Sequence, residues 1–351
     1  MMKDTVIKKE FRVKTTGGSP AAGEGVELHR NADALARGPA SVLNSEPETR
    51  GPELFRSAIV LCLLLLASVF IASCGGASPP PAARAARPAR IVSLSPSTTE
   101  ILHGVGAFDR VVAVSDYCTF PPEVAGLPRV GGWSNPNLEQ IASLRPDLVV
   151  FSDQQAQFIK DRVEALGVRT LAVPARSLED ALAGIESIGR AAGNEAEAAR
   201  LLAETRASLD DVRRGAEGLP RRRVLCVVDR APGTLRDIYT AADGTFIAQL
   251  IELAGGESIA PPASAGWGKL QKEAVVALDP EVIIDLMIHK TDGALAEDTL
   301  SVWRELPTLR AVREGRVHPV REETALHPSQ FVGDTARRFA EIIHPEEFKG
   351  K

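Results

Sequence analysis

The sequence is poor in the marks of catalysis. It has no G-x-S-x-G nucleophile elbow, no P-loop and no H-E-x-x-H helix. The segment GVGAFD after Leu102-His103 is not a dinucleotide fingerprint, because its glycines do not follow the G-x-G-x-x-G spacing. No cluster of histidines and carboxylates has metal-ligand spacing, which argues against a bare-metal site. A basic excess is also missing. The net charge is −5, and nucleic-acid binders ordinarily show a positive patch. Tryptophan is scarce, with three in the chain, so the setting of each is informative. With 44% hydrophobic and 25% charged residues, the composition is that of a globular protein, and 351 residues allow two domains.

One apolar run stands out. Residues 58–72 read AIVLCLLLLASVFIA, uncharged, preceded by Arg50 and Arg56. That is short of the roughly 20 residues a membrane-spanning helix needs. A basic start, a short apolar core and small residues at its end make a secretory signal. Ile71-Ala72-Ser73-Cys74 then resembles a lipobox, although Ile71 and Ser73 differ mildly from the usual Leu and Gly or Ala. The resemblance implies a lipoprotein signal over 54–74, lipid on Cys74, and anchoring to a membrane at the periplasm or cell envelope. Residues 1–53 are mostly polar, lack apolar periodicity and read as disordered. Signals normally begin a protein, so translation is expected to start nearer Leu54; N-terminal sequencing that found Met1 would refute this. Residues 75–89, rich in Pro and Ala, form a semi-rigid tether.

From residue 90 onward, apolar strand patterns alternate with helical ones, which implies parallel βαβ units. IVSLSPS is a strand and TEILHGVGA a helix. RVVAVSDY, PDLVVFS and VRTLAVPA are strands separated by helical LEQIASL and FIKDRVEALG, and SLEDALAGIESIGRAAG is a helix. Residues 194–218 differ: NEAEAARLLAETRASLDDVRRGAEG is one long helix of about 22 residues, roughly 33 Å, with Asn194 placed to cap it. Alternation then resumes with strands RVLCVVDR, EVIIDLMI and RVHPV and helices TFIAQLIELAGG, KEAVVALDP and GDTARRFAEIIH. The expected layout is a lobe over 90–193, a linking helix over 194–218 and a second lobe over 219–348. Cys118 and Cys226 fall in different lobes, and Cys226 lies within an apolar strand, so two separate thiols are expected.

An internal repeat is the most informative feature. GWSNPNLEQIASLRPDLVV begins at Gly132 and GWGKLQKEAVVALDPEVII at Gly266, an offset of 266 − 132 = 134. Gly132/Gly266, Trp133/Trp267, Glu139/Glu273, Leu144/Leu278 and Pro146/Pro280 are identical pairs. Each copy reads as a loop with a Trp, a short helix beginning near a Glu, then a Pro and a buried strand. Ligands of open α/β sheets bind beyond the carboxyl ends of strands. If two such lobes face each other, Trp133 and Trp267 line one cleft; otherwise each packs within its own lobe. Glu139 and Glu273 read either as helix-dipole partners or as matched acidic docking points.

RIVSLSPSTTEIL, VVAVSDYCTFPPEV, VGGWSNPNLEQIASLRPDLVVFS, FIAQLIELAGGESI, LQKEAVVALDPEVII and LPTLRAVREGRVHPV together resemble the ABC-importer substrate-binding proteins with a helical backbone. The resemblance covers nearly all of 88–346 and implies two Rossmann-like α/β lobes joined by one long rigid α-helix. Within that class the chain is most similar to cobalamin-binding proteins. Tyr117 lies before a Pro-Pro pair, and Trp133 and Trp267 each lie six residues before a Glu. The likeness implies that Tyr117, Trp133 and Trp267 contact a corrinoid, and that Glu139 and Glu273 pair with arginines of the permease. Ser95, Pro96 and Ser97 would face the cleft from the first strand-to-helix loop, or serve there as turn and cap. Glu323 and His327 fall in the region of a further ligand loop. The implied partners are a corrinoid cargo and a permease–ATPase complex; the protein is expected to be a monomer, with no catalytic cofactor. Siderophore and haem carriers share this fold. A siderophore would call on Arg129, Arg176, Arg230 or Arg236, and haem on His103, His289, His318, His327 or Tyr239.

Overall fold

The computed structural model describes residues 87–263, 266–286 and 298–348. The signal, Cys74 and most of the tether lie outside the described residues, as does His289. The first lobe holds four strands: β1 (Ile91–Ser93), β2 (Val111–Val114), β3 (Leu148–Ser152) and β4 (Arg169–Val173). They pair in the order β2-β1-β3-β4, all parallel. Between and after them run α1 (Pro96–Gly104), α2 (Leu138–Ser143), α3 (Ala156–Glu164) and α4 (Leu178–Ala192). The strands are apolar at successive positions because both faces are covered. Ile91, Leu148 and Val150 enter one core, while Val92, Val149 and Phe151 enter the other. Each such fully buried side chain contributes about 1.5–3 kcal/mol.

The linking helix α5 (Glu195–Ala216) has the 22 residues its composition predicts. Asn194 occupies its N-cap position but does not cap it with its side chain. The amide instead donates to the carbonyls of Val105 and Gly106, at 2.7 and 3.1 Å, and its oxygen accepts from Arg110 at 2.7 Å. Asn194 therefore fastens the helix to the end of α1. Two further contacts explain the rigidity of α5. A Cβ at Gly189 of α4 would lie 2.2 Å from Ala198 Cβ, and one at Gly333 would lie 2.8 Å from Ser208 Cβ. Glycine lets helices of both lobes approach α5 at backbone distance.

The second lobe contains β5 (Arg222–Asp229), β6 (Ile238–Ala241), α6 (Phe246–Leu253), β7 (Gly256–Ser258), β8 (Trp267–Leu270), α7 (Lys272–Leu278) and β9 (Val282–Leu286). It continues with α8 (Thr299–Trp303), α9 (Arg310–Arg313), β10 (Val317–Val320), α10 (Val332–Ile343) and α11 (Pro345–Phe348). Its sheet runs β10-β9-β5-β6-β8, with β7 also on β5. β6 pairs antiparallel with β5 and β8, so this lobe is mixed rather than wholly parallel. Sequence reading missed β6, β7 and β8, which are only three or four residues long; β7 and β8 also carry Gly and charge.

The repeat is a repeat of structure. α2 and α7 start 272 − 138 = 134 residues apart, and β3 and β9 start 282 − 148 = 134 apart. Asp147 Oδ2 accepts from Arg90 N at 2.8 Å just before β1, and Glu281 Oε2 accepts from Arg223 N of β5 at 2.8 Å. One difference breaks the symmetry: Trp133 sits in a loop, whereas Trp267 opens β8, its Cα paired with Ala241. Cys118 and Cys226 are both free thiols and buried. Burial pushes both thiols up from their ordinary value, so neither is poised to react.

The described residues fall in one compact unit. Beside α5, the lobes are tied by Phe246 N donating to Arg176 O at 2.7 Å and by Leu178 N donating to Gln249 Oε1 at 2.6 Å. On another side, Thr119 Oγ1 donates to Glu323 at 2.8 Å, and the rings of Phe120 and Phe331 meet edge to face at 5.1 Å.

Candidate functional site

A cleft lies between the lobes, beyond the carboxyl ends of β1, β3 and β4, where the general rule for such sheets places ligands. Its wider part, about 440 Å³, is lined from the first lobe by Trp133, Asp153, Gln154, Gln157, Phe158, Ala175 and Arg176. The second lobe adds Thr245, Gly266 and Trp267. A narrower part of about 130 Å³ adjoins it and shares Trp133, Gln154, Ala175 and Trp267. Ser95, Pro96, Ser97, Phe246 and His327 line that part as well. The wider part falls within the range of small-molecule sites, about 300–1,000 Å³.

Of the six ligand-contact residues expected from the sequence, the fold brings five to this cleft. Trp133 and Trp267 enter it from opposite lobes, and Ser95, Pro96 and Ser97 line its narrow end. Ser95 does double duty. It is the N-cap of α1, its hydroxyl accepting from Thr98 N at 3.4 Å, and Pro96 follows at the first helical position. The Ser95 and Ser97 hydroxyls lie 3.0 Å apart and bond each other. Tyr117 is not among the lining residues. It is 57% exposed and stands beside Gly132, where an added Cβ would lie 3.6 Å from the Tyr117 hydroxyl. It thus sits next to the Trp133 loop, with its ring in solvent.

Gln155 holds the Trp133 loop in place. Fully buried, it accepts from Ser152 N and donates to the carbonyls of Leu94 and Trp133, each at 3.0 Å. One amide therefore joins the ends of β1 and β3 to the loop that presents the indole. Neither Gln155 nor the lining residues Gln154, Gln157 and Phe158 stood out in the sequence. Their position directly after β3 was the available pointer, since ligands gather at strand ends.

The cleft is close to charge-neutral. Among the described lining residues, Arg176 and Asp153 are its formal charges, and burial pushes the Asp153 carboxyl up from its ordinary value. The other arginines considered for an anionic cargo are not among the lining residues. Arg129 donates to the carbonyls of Ser115 and Cys118, at 2.9 and 2.5 Å. Arg230 is buried against Asp285 at 2.8 Å. Arg236 is exposed in the turn between β5 and β6.

Of the candidate haem ligands, His327 lines the cleft. His103 packs edge-on against Phe108 and Phe120. His318 lies within β10, and Tyr239 lies on β6 with Lys269 Nζ 5.7 Å from its ring centre. Glu323 accepts the inter-lobe hydrogen bond from Thr119.

Glu139 and Glu273 occupy the first turns of α2 and α7, the same position in the two copies of the repeat. Both are exposed. Neither makes an ion pair or hydrogen bond with the described residues.

The comparisons agree with this architecture. The profile of the family described as periplasmic binding proteins matches residues 91–324. An uncharacterized ABC transporter substrate-binding lipoprotein, YvrC of Bacillus subtilis (strain 168), is 29% identical over 323 residues, which is 84% of this chain and 99% of that protein. A vitamin B12-binding protein of Yersinia pestis (strain Pestoides F) is 28% identical over 197 residues, covering 56% of this chain and 68% of that protein. Among solved structures, the apo periplasmic heme-binding protein RhuT of Roseiflexus sp. RS-1 superposes with a TM-score of 0.62 at 25% identity, covering 73% of this chain and 98% of that one.

Proposed function

The chain belongs to the periplasmic binding protein family, and from that premise we propose that it is the lipid-anchored substrate-binding protein of an ABC importer whose cargo is a corrinoid of the cobalamin type. One observation carries the choice of cargo: two indoles from opposite lobes flank a cleft whose lining carries one Arg, one Asp and one His and is otherwise apolar, amide or hydroxyl. A corrinoid is large, flat-sided and amide-rich. Indoles cover its faces with few rotors to freeze, and Gln154, Gln157 and Thr245 match its amides. A ferric siderophore with an anionic chelate would need several cations, and Arg176 alone would meet it. A cargo of this size overfills the cleft and reaches the exposed ring of Tyr117. The tight contacts of α5 favour a largely preformed pocket over a wide hinge motion. Glu139 and Glu273, one per lobe and unpaired within the described residues, are the docking points for cationic side chains of the permease. Lipid on Cys74 would hold the protein at the membrane.

A second reading, haem, is favoured by His327 on the cleft wall. Haem carries two propionates, however, and the same shortage of cations counts against it. Calorimetric titration of the purified protein with cyanocobalamin, haemin and a ferric siderophore tests the choice. Submicromolar binding of cyanocobalamin alone is expected. Binding of haemin or the siderophore instead would overturn the cargo and leave the transport role.

A further inference from the structure

The loop after β10 brings an imidazole to the cleft in an unusual setting. His327 lines the narrow part together with Trp133 and Trp267. Its Nδ1 lies 2.6 Å from Oε1 of Glu100 on α1, in the other lobe. Glu100 is 1% exposed, and its second oxygen accepts from Ser329 Oγ at 2.5 Å. A carboxylate used on both oxygens as an acceptor calls for a proton on Nδ1. In the neutral ring the lone pair of His327 is then on Nε2. Among the described residues Nε2 has no hydrogen-bond partner, and it is not sealed from solvent.

A buried carboxylate is a costly way to hold two lobes together. The junction already has Gln330 Nε2 donating to Glu100 O at 2.9 Å and the Phe120–Phe331 ring contact. Holding the lobes together therefore does not account for a carboxylate at this position. A carboxylate that fixes one imidazole nitrogen, and so the tautomer and direction of the other, is how proteins prepare a histidine for a metal. His327 itself lines a cleft flanked by indoles suited to a flat macrocycle.

We propose that His327 Nε2 coordinates the metal at the centre of the bound macrocycle, and that this metal is the cobalt of a corrinoid with an exchangeable axial water. The inference rests on the corrinoid reading of the cleft. In the exchange the cobalt–oxygen bond breaks and water leaves. The Nε2 lone pair forms the cobalt–nitrogen bond. The Nδ1 proton stays on His327, hydrogen-bonded to Glu100, and the cobalt keeps its oxidation state. Glu100 is a positioning residue, acting through the ring it orients. The cleft would then prefer corrinoids with a labile axial site over those whose axial position is blocked by cyanide.

The test is visible absorption and titration of the purified protein with aquocobalamin, cyanocobalamin and haemin. Wild type should shift the spectrum of aquocobalamin toward that of an imidazole adduct and bind it more tightly than cyanocobalamin. His327→Ala should lose the shift and bind aquocobalamin and cyanocobalamin with equal affinity, and a circular dichroism spectrum matching wild type shows that the variant is folded. Glu100→Gln should lower aquocobalamin affinity by about 10–100-fold, the usual effect of losing such a supporting carboxylate, with cyanocobalamin affinity little changed. Tight aquocobalamin binding by wild type without a spectral shift would overturn the ligation and leave the corrinoid reading standing. Binding of haemin alone, its spectrum perturbed in wild type and not in His327→Ala, would overturn cobalt and assign iron. Binding of neither class would overturn both the ligation and the cargo.

Discussion

The side-chain amide of Gln155 donates to the main-chain carbonyl of Trp133 at 3.0 Å, and the same nitrogen reaches the carbonyl of Leu94 at 3.0 Å. The indole is thus presented by a loop whose backbone is fixed from the end of β3. Gln155→Leu keeps much of the volume and removes every hydrogen bond. Each buried backbone group left without a partner costs about 1–3 kcal/mol. The variant should unfold at lower denaturant and bind cargo more weakly. A variant that is destabilised but binds with unchanged affinity would show that the loop holds its shape without the amide.

The two tryptophans should separate binding from stability. Trp133 sits in a loop, while Trp267 opens a strand and packs against the core of the second lobe. Replacing either with Ala should weaken cargo binding by on the order of 1–3 kcal/mol, as expected for aromatic anchors. Trp267→Ala should also lower the unfolding midpoint, and Trp133→Ala should move it much less. Parallel titration and denaturation read both effects. Equal losses of stability would mean that both indoles are core residues.

What could be read from the sequence and what could not have different physical origins. The repeat at offset 134 was visible because its buried positions are constrained alike in both lobes. Asp147 and Glu281 are the plainest case, two different acids receiving the backbone N–H next to the first strand of each lobe. The long helix was visible because 22 residues rich in Ala, Glu, Arg and Leu, with no Pro, leave little alternative. β6, β7 and β8 were hidden by shortness: three or four residues cannot establish a period, and their pairing is set by the neighbouring strand. The cleft was half visible. Trp133 and Trp267 stood out through the repeat, but Gln155 and the Glu100–His327 pair depend on contacts between residues far apart in the chain. Glu100 lies inside the quoted STTE stretch and looks like any polar helix residue until its partner, 227 positions away, is placed against it.

Gly189 is the residue on which the seating of α5 most depends. An added Cβ would lie 2.2 Å from Ala198 Cβ, a contact that no rotamer change relieves. Gly189→Ala should therefore destabilise by about 1–3 kcal/mol, the usual cost of overpacking. Gly126→Ala is the control, because nothing lies within 4 Å of a Cβ there and its φ is not in the left-handed region. Equal midpoints for the two variants in urea would show that α4 and α5 separate at little cost.

His344 gives the fold a pH dependence whose sign can be stated. It follows α10, is 2% exposed, and has Nε2 3.2 Å from Gly255 O. Burial holds its imidazole below the ordinary value, against the opposing pull of the Gly255 carbonyl. The unfolded chain then binds the proton more readily than the folded one. Stability from this group is present above the unfolded value, about 6.5, and is lost as pH falls toward the folded value. Unfolding free energy should decline below about pH 6.5, and His344→Gln should flatten that part of the curve. An unchanged slope would place the dependence on other groups.

The docking reading of Glu139 and Glu273 makes the sharpest demand on function. Both are exposed first-turn residues without partners among the described residues, so their contribution to folding is limited to the helix dipole, about 0.3–1 kcal/mol each. Reversing both to Lys should leave the protein folded and its cargo affinity unchanged, because neither lines the cleft. Uptake through the importer should nevertheless fail, since each lobe would then present a cation where the permease is proposed to offer one. The single reversals should be intermediate if the lobes dock independently. Normal uptake by the double variant would remove the pair from the interface. Loss of cargo binding would instead show that the first turns of α2 and α7 shape the cleft, and that the matched position of the two acids reflects only the common ancestry of the two lobes.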